Sequence, residues 1–379
     1  MMAERVYLDH NATSPLREEA REAMLHASEL IGNPSSVHHE GRQARACVEA
    51  ARDHVAHLVG ADPEQVVFTS GATEANNWVM QWRDVAIVSA VEHASVLDAA
   101  AHFANTVVEV PVLANGIIDL EALERALSET QREQDQSLLV SVQSANSETG
   151  VVQPIGQVAE LGHRHGALVH CDAVQSAGKT PLSFRELDVD FMSVSAHKLG
   201  GPKGVGALVS KQGAAIEPLF VGGGQEARKR AGTENVQAIA GFGAAAKATY
   251  EGLKQFATLE SVRDWLEQAL LAQIPDAKVI GVEATRLANT TCLAIASRKA
   301  ETTVIALDLA GLAISAGSAC SSGKVARSHV LTAMGLDGDL ADTAIRVSLG
   351  WNNSKEDAIR ALAAFERAGL ISDESAAAA

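Results

Sequence analysis

The chain has 379 residues, with 47 acidic side chains against 31 basic ones and a net charge of −16. That balance argues against a surface built for nucleic-acid phosphates, and no apolar run approaches the roughly 18 residues that span a bilayer. With 47% hydrophobic and 21% charged residues, wholesale disorder, collagen and coiled coil are excluded.

At about 150 residues per domain, two domains are expected. The start, from Met1 to Arg5, lacks the basic region and apolar stretch of a secretory signal, so a cytoplasmic protein is expected. The cysteines lie at 47, 171, 292 and 320. They form no Cys-x-x-Cys pair, which argues against a resident metal or cluster, and a cytosolic chain disfavours disulfides.

In chain order, Ser14-Pro15 predicts a helix start, with serine as cap and proline at the first helical position. Cys47 falls in an alanine-rich helix. Gln65–Thr69 reads as a short apolar strand, followed by a helix from Thr73 to about Trp82. Strands follow at 86–89, 107–110, 138–142 and 167–170, with helices from Ala94, Asp119 and Pro154 between them. This alternation predicts an α/β fold with a mostly parallel sheet covered on both faces. A further strand is read at 207–209, and one long helical region from Asn235 to Leu271. Strands at 291–296 and 344–348, with helices at 301–311 and 354–368, make a smaller α+β unit. The expected division is a large domain over 15–250 and a small one from 1–14 and 251–371. The low-complexity tail 372–379 is expected to be disordered.

Five stretches carry chemistry. Thr69-Ser70-Gly71-Ala72-Thr73-Glu74 joins a strand end to a helix start, where free amides and hydroxyls suit a phosphate. An ordinary capped turn has the same composition. Asp172 ends an apolar strand, at the sheet edge where α/β proteins bind ligands, and a carboxylate buried there needs a cationic partner. Lys198, in Ser195-Ala196-His197-Lys198, follows the next strand and precedes two glycines. A lysine and an acid on neighbouring strand ends match the needs of pyridoxal phosphate (PLP), which takes a lysine for its aldehyde and an acid for its ring nitrogen. Cys320 lies in a loop of small residues near Lys324 and Arg327, a setting that suits a thiolate nucleophile. Arg346 interrupts the apolar strand Ala344–Ser348 and demands an anion, either a structural carboxylate or that of a substrate. His93 follows a strand end, where it can stack on a ring or carry protons.

Taken together, these residues resemble the cysteine desulfurases of the nitrogen-fixation and iron–sulfur-cluster type, PLP enzymes of fold type I. The likeness runs from Tyr7-Leu8-Asp9-His10-Asn11-Ala12-Thr13 to Ile345-Arg346-Val347-Ser348-Leu349-Gly350. Its specific marks are Ser195-Ala196-His197-Lys198 together with Gly317-Ser318-Ala319-Cys320. The resemblance implies a seven-stranded large domain, PLP on Lys198 and a persulfide on Cys320. It implies that Ala72, Thr73, Ser195 and His197 bind the phosphate, and that Thr233 reaches it from the other subunit of a homodimer. It places His93 on the ring, Asp172 at its nitrogen and Gln175 at its phenolic oxygen. Asn146 would line the cofactor and substrate site, and Arg346 would hold the carboxylate of L-cysteine. An iron–sulfur scaffold or other acceptor protein is the implied partner, with tRNA thiolation as a further destination for the sulfur. No resident metal is implied, although Cys320 would serve as a transient cluster ligand. Ser147 and Ala196 depart from the asparagine and glycine common in the family. The spacing from Cys320 to Arg346 resembles the longer-loop subgroup. A selenocysteine lyase or another fold-type-I PLP enzyme, or a non-catalytic protein on this scaffold, are the rival readings.

Overall fold

The structure, a computed structural model, describes residues 5–130, 136–296, 298–317 and 327–371. Cys320 and the tail 372–379 lie outside the described residues. The strands of the first part are β1 (Val6–Tyr7), β2 (Val66–Thr69), β3 (Val85–Ser89), β4 (Thr106–Val110), β5 (Leu138–Ser141), β6 (Leu168–Asp172), β7 (Phe191–Ser195) and β8 (Gly206–Ser210). Seven of them form one sheet in the order β2-β8-β7-β6-β5-β3-β4. From β7 through β4 the neighbours are parallel, while β8 runs antiparallel to both β7 and β2. Strands β3, β5, β7 and β8 are buried along their whole length. Their near-continuous apolar runs are what a sheet covered on both faces requires.

Helices Ala72–Met80, Ala94–Phe103, Leu120–Glu129 and Ile155–Arg164 follow strands of this sheet. Helices Glu18–Ser28 and His39–Val59 pack against Val236–Glu251. Contact between the last two is close enough to require glycine: a Cβ on Gly243 would meet the Ala51 Cα at 2.5 Å.

A second sheet has the order β12-β13-β10-β9. Its strands are β9 (Ala277–Ile280), β10 (Thr290–Ile295), β12 (Ser315–Ala316) and β13 (Ala344–Ser348), all antiparallel neighbours. The short β11 (Leu312–Ala313) pairs in parallel with β1. Each sheet has its own main apolar cluster, and a further one joins Val91 and Val112 to Ile280, Cys292 and Ala294 of the second sheet. The main cluster of the second sheet gathers Val6 and Leu8 with Leu266, Leu293, Val347 and Phe365. The N-terminal segment therefore belongs by packing to the second sheet, and it then runs across to the first. Among the described residues no helix is long and apolar enough to cross a membrane.

Two sequence expectations need correction. The helix expected at Ser14-Pro15 begins at Glu18. Ser14 instead donates its amide to the His197 carbonyl at 2.9 Å and its hydroxyl to the Lys198 carbonyl at 3.2 Å. A serine engaged with a distant turn is not available as a cap. The long helical region is broken into Val236–Glu251, Leu253–Ala257 and Leu259–Gln273. Gly252 and Thr258 mark the breaks, and the glycine has the low helix propensity expected there.

Candidate active site

Strands β6 and β7 lie side by side in parallel, with Asp172 opposite Ser193. Their carboxyl ends therefore open at one edge of the sheet, where ligands bind in this architecture. Asp172 closes β6, and after β7 a short 3-10 turn, Ala196–Lys198, carries the lysine. A cavity of about 580 Å³ lies there. Of the residues singled out in the sequence, it is lined by Ala72, Thr73, His93, Asp172, Gln175, Ser195, His197, Lys198 and Arg346.

The Lys198 ammonium donates to the Asn11 carbonyl and, at 2.9 Å, to that of Ala12. The Asp172 carboxylate accepts from Asn76 Nδ2 at 2.9 Å and from the Val174 amide at 3.0 Å. Its two oxygens offer about four lone-pair sites, so acceptor capacity remains for the cavity. Glu92 is fully buried, and burial together with the Asp172 charge holds its carboxyl well above the usual range.

His93 caps helix Ala94–Phe103, its Nδ1 accepting from the Ser95 amide at 3.0 Å. The Ser95 hydroxyl lies 2.8 Å from the same nitrogen. Donors converging on Nδ1 place the ring proton on Nε2.

Helix Ala72–Met80 starts at Gly71 with no side-chain cap. An uncapped helix start presents free amides and the positive end of the helix dipole. Lys203 lines the same cavity. Burial, then the charges of Lys198 and Lys203, push His197 down to about 4, so the ring is neutral. A cavity that gathers cations beside an open helix start fits a phosphate, and Asp172 fits a protonated ring nitrogen. This donor set suits PLP.

Arg346, in the middle of β13, is 2% exposed. Its Nη2 donates to Asp9 Oδ1 at 2.7 Å and its Nη1 to the Ser147 carbonyl at 3.3 Å, while Nε is buried without a partner. Asp9 in turn accepts from the Ser315 hydroxyl at 2.8 Å. Close by, Glu148 accepts from the Ser328 hydroxyl at 2.6 Å. Burial raises its carboxyl to about 7, against the opposing pull of Ser328, Arg346 and His93.

Not every expected residue joins the cavity. Asn146 is buried and does not line it: its Oδ1 accepts from the amides of Glu148 and Thr149, each at 2.9 Å, and its Nδ2 donates to the Val91 carbonyl at 3.2 Å. The side chain holds its own turn, while its neighbours Ala145 and Ser147 face the ligand space. Thr233 is exposed and does not line the cavity of its own chain. Cys320 is outside the described residues. Burial pushes the other three thiols up, Cys292 to about 12, so none of them is poised as a thiolate.

Sequence reasoning missed Asp9, Asn11, Asn76, Glu92, Glu148 and Lys179. Some signals were present. Asp9-His10-Asn11 is a polar run directly after an apolar strand. Lys179 stands four residues after Gln175, and Glu92 precedes His93.

The class-V aminotransferase family profile matches residues 6–361. A cysteine desulfurase from Cereibacter sphaeroides is 43% identical over 367 residues, covering 93% of each chain. The cysteine desulfurase IscS of Dictyoglomus turgidum is 40% identical, covering 97% of this chain and 95% of its own. Among solved structures, a NifS-like protein from Rickettsia africae superposes with a TM-score of 0.89 at 33% identity, covering 97% of this chain and all of that one (100%). The fold and the lysine–aspartate cavity thus define a PLP-dependent enzyme of the class-V aminotransferase family. Within that family, the chain belongs to the cysteine desulfurases.

Proposed function

We propose that the enzyme converts L-cysteine to L-alanine and leaves the sulfur as a persulfide on Cys320, for transfer to an iron–sulfur scaffold or another acceptor protein. The observation that carries this reading is the meeting of Lys198, Asp172 and Arg346 in one cavity. Bound PLP supplies an electron sink for charge that develops at the substrate Cα. Arg346 binds the substrate carboxylate: Nη1 and Nη2 each spend one N–H, on Ser147 and Asp9, and have a second to give, and Nε has no partner. Asp172 keeps the ring nitrogen protonated, and Asn76 and the Val174 amide hold it in place. Lys198 takes the Cα proton. The Cys320 thiolate attacks the substrate sulfur. The Cβ–S bond breaks with its electron pair staying on carbon, which takes up a proton to give alanine. His93, with its proton on Nε2, is placed to carry protons. A thiol reductant then reduces the persulfide by two electrons and releases sulfide.

In this reading the enzyme is a cytoplasmic homodimer, and the exposed Thr233 serves the phosphate of the neighbouring subunit. The division into a domain over 15–250 and one from 1–14 and 251–371 is kept, supported by the two main apolar clusters.

The test supplies purified enzyme with PLP, L-cysteine and a reductant. Alanine and sulfide are expected in equal amounts. The Cys320→Ser variant is expected to bind PLP and cysteine normally and to release no sulfide. Sulfide release by that variant at the full rate overturns the assignment of the nucleophile.

A further inference from the structure

Lys179 is 6% exposed, on the chain segment that follows β6. Among the described residues no carboxylate lies within ion-pair distance of it. Its Nζ donates instead to two neutral oxygens, Gln175 Oε1 and Asn11 Oδ1, each at 2.7 Å. Burial, then the charges of Lys198 and Arg346, push the Lys179 ammonium well below its usual range, but its nitrogen keeps N–H donors in either state, and the Asn11 carbonyl on the far side of the Gln175 amide only accepts, so that amide has one consistent orientation. Its oxygen turns to Lys179 and its NH₂ group away. One N–H of that group goes to the Asn11 carbonyl at 3.1 Å, and an amide NH₂ has a second to give. Gln175 lines the cavity.

We propose that Lys179 is a positioning residue that locks the Gln175 amide with its N–H toward the ring oxygen of the bound cofactor. This rests on the reading that Gln175 meets that oxygen. Without Lys179, the Asn11 carbonyl is the remaining contact that fixes the amide, and the hold that keeps its carbonyl turned from a negatively charged oxygen is weakened. Asn11 completes the device. Its Oδ1 accepts from Lys179 and from Asn289 Nδ2 at 3.1 Å, and its Nδ2 donates to the Ser147 carbonyl at 3.0 Å and to Thr290 Oγ1 at 2.9 Å. Asn289 and Thr290 belong to the second sheet and its approach, so the orientation of one amide is tied to the packing of both sheets.

The test reads the pH midpoint of the bound cofactor's visible absorption band in the holoenzyme. A donor on the ring oxygen draws charge away from the neighbouring Lys198 nitrogen. Loss of the donor lets that nitrogen hold its proton more tightly, and the midpoint rises. Lys179→Met is expected to raise it by about one pH unit, as loss of a hydrogen bond to a charged oxygen implies. Gln175→Leu is expected to raise it as much, and Lys179→Met added to Gln175→Leu to change nothing further. Lys179→Gln, which keeps a donor in the buried slot, is expected to stay close to the parent and serves if the methionine variant does not fold. If Lys179→Met shifts the midpoint equally in the Gln175→Leu background, Lys179 acts by its charge and the proposal is overturned. If Gln175→Leu leaves the midpoint in place, the placement of Gln175 at the ring oxygen is what fails.

Discussion

Asp9 forms an ion pair with Arg346, which lines the cavity, with Nη2 and Oδ1 2.7 Å apart. The arginine is nearly enclosed and the carboxylate is partly so, at 3% and 17% side-chain exposure. Asp9 also takes the Ser315 hydroxyl, so one carboxylate orders both the arginine and strand β12. Asp9→Asn removes the charge and leaves the shape. It is expected to lower stability by about 3 kcal/mol, the low end of the range for breaking a buried pair, since the carboxylate is partly exposed. It is also expected to raise KM for L-cysteine severalfold with kcat nearly unchanged, because the guanidinium loses its support and not its reach. Denaturant melts and steady-state kinetics check the two parts.

Glu148 makes folding stability depend on pH. Its carboxyl titrates at 4.5 without the fold and at about 7 within it, chiefly through burial. Between those values the folded chain holds a proton that the unfolded chain has lost. The stability linked to that proton is complete below about 4.5 and is lost as pH rises through about 7, a change of about 3 kcal/mol. Glu148→Gln is neutral at every pH and is expected to flatten this slope. Denaturant midpoints of both proteins, measured from pH 5 to pH 8, provide the comparison.

The readable parts of the site were those whose signal is local. Asp172 stands at the end of an apolar run, Lys198 precedes two glycines, and Arg346 interrupts an apolar strand. Each breaks a pattern that its immediate neighbours set. The supporting residues carry no such local mark, because their partners are remote in the chain. Lys179 meets Asn11 across 168 positions, and Asn289 meets it across 278. Asn146, expected at the cofactor and substrate site, has a local engagement instead of a remote one. Its side chain is spent on its own turn, a local use that the family resemblance did not suggest. In the fold, the parallel sheet followed from the alternation of strands and helices. The start of the first helix did not, because Ser14 bonds to the lysine turn.

Asn76 links Asp172 to His93. Its Nδ2 donates to Asp172 Oδ2 and to Ser95 Oγ, both at 2.9 Å, and Ser95 Oγ lies 2.8 Å from His93 Nδ1. Asn76→Ala removes both bonds and is expected to lower kcat/KM about tenfold, the effect of losing one hydrogen bond to a charged group. Ser95→Ala is expected to do less, since the Ser95 amide still holds the ring at 3.0 Å. Steady-state kinetics of the two variants, side by side, test the ranking.

Arg52 and Glu226 form a two-pronged pair, both bonds 2.8 Å, with side-chain exposures of 11% and 2%. Glu226 also accepts from the Phe68 amide at 2.8 Å, which fixes the segment to β2. The backbone there is strained: Glu226, Ala227 and Arg228 have φ of 47°, 54° and 67°, a region that L-residues disfavour. The buried pair and the Phe68 amide anchor the first of these residues. Glu226→Gln leaves the buried arginine with only the exposed Glu49 carboxylate, 3.0 Å from its Nε, as counter-charge, and is expected to lower stability by about 3 kcal/mol. Ala227 is exposed, so Ala227→Gly removes strain with little lost packing. It is expected to raise stability by about 0.5–1 kcal/mol. Opposite shifts of the denaturant midpoint in the two variants support this account. A midpoint unmoved by Glu226→Gln shows that the segment is held by other contacts.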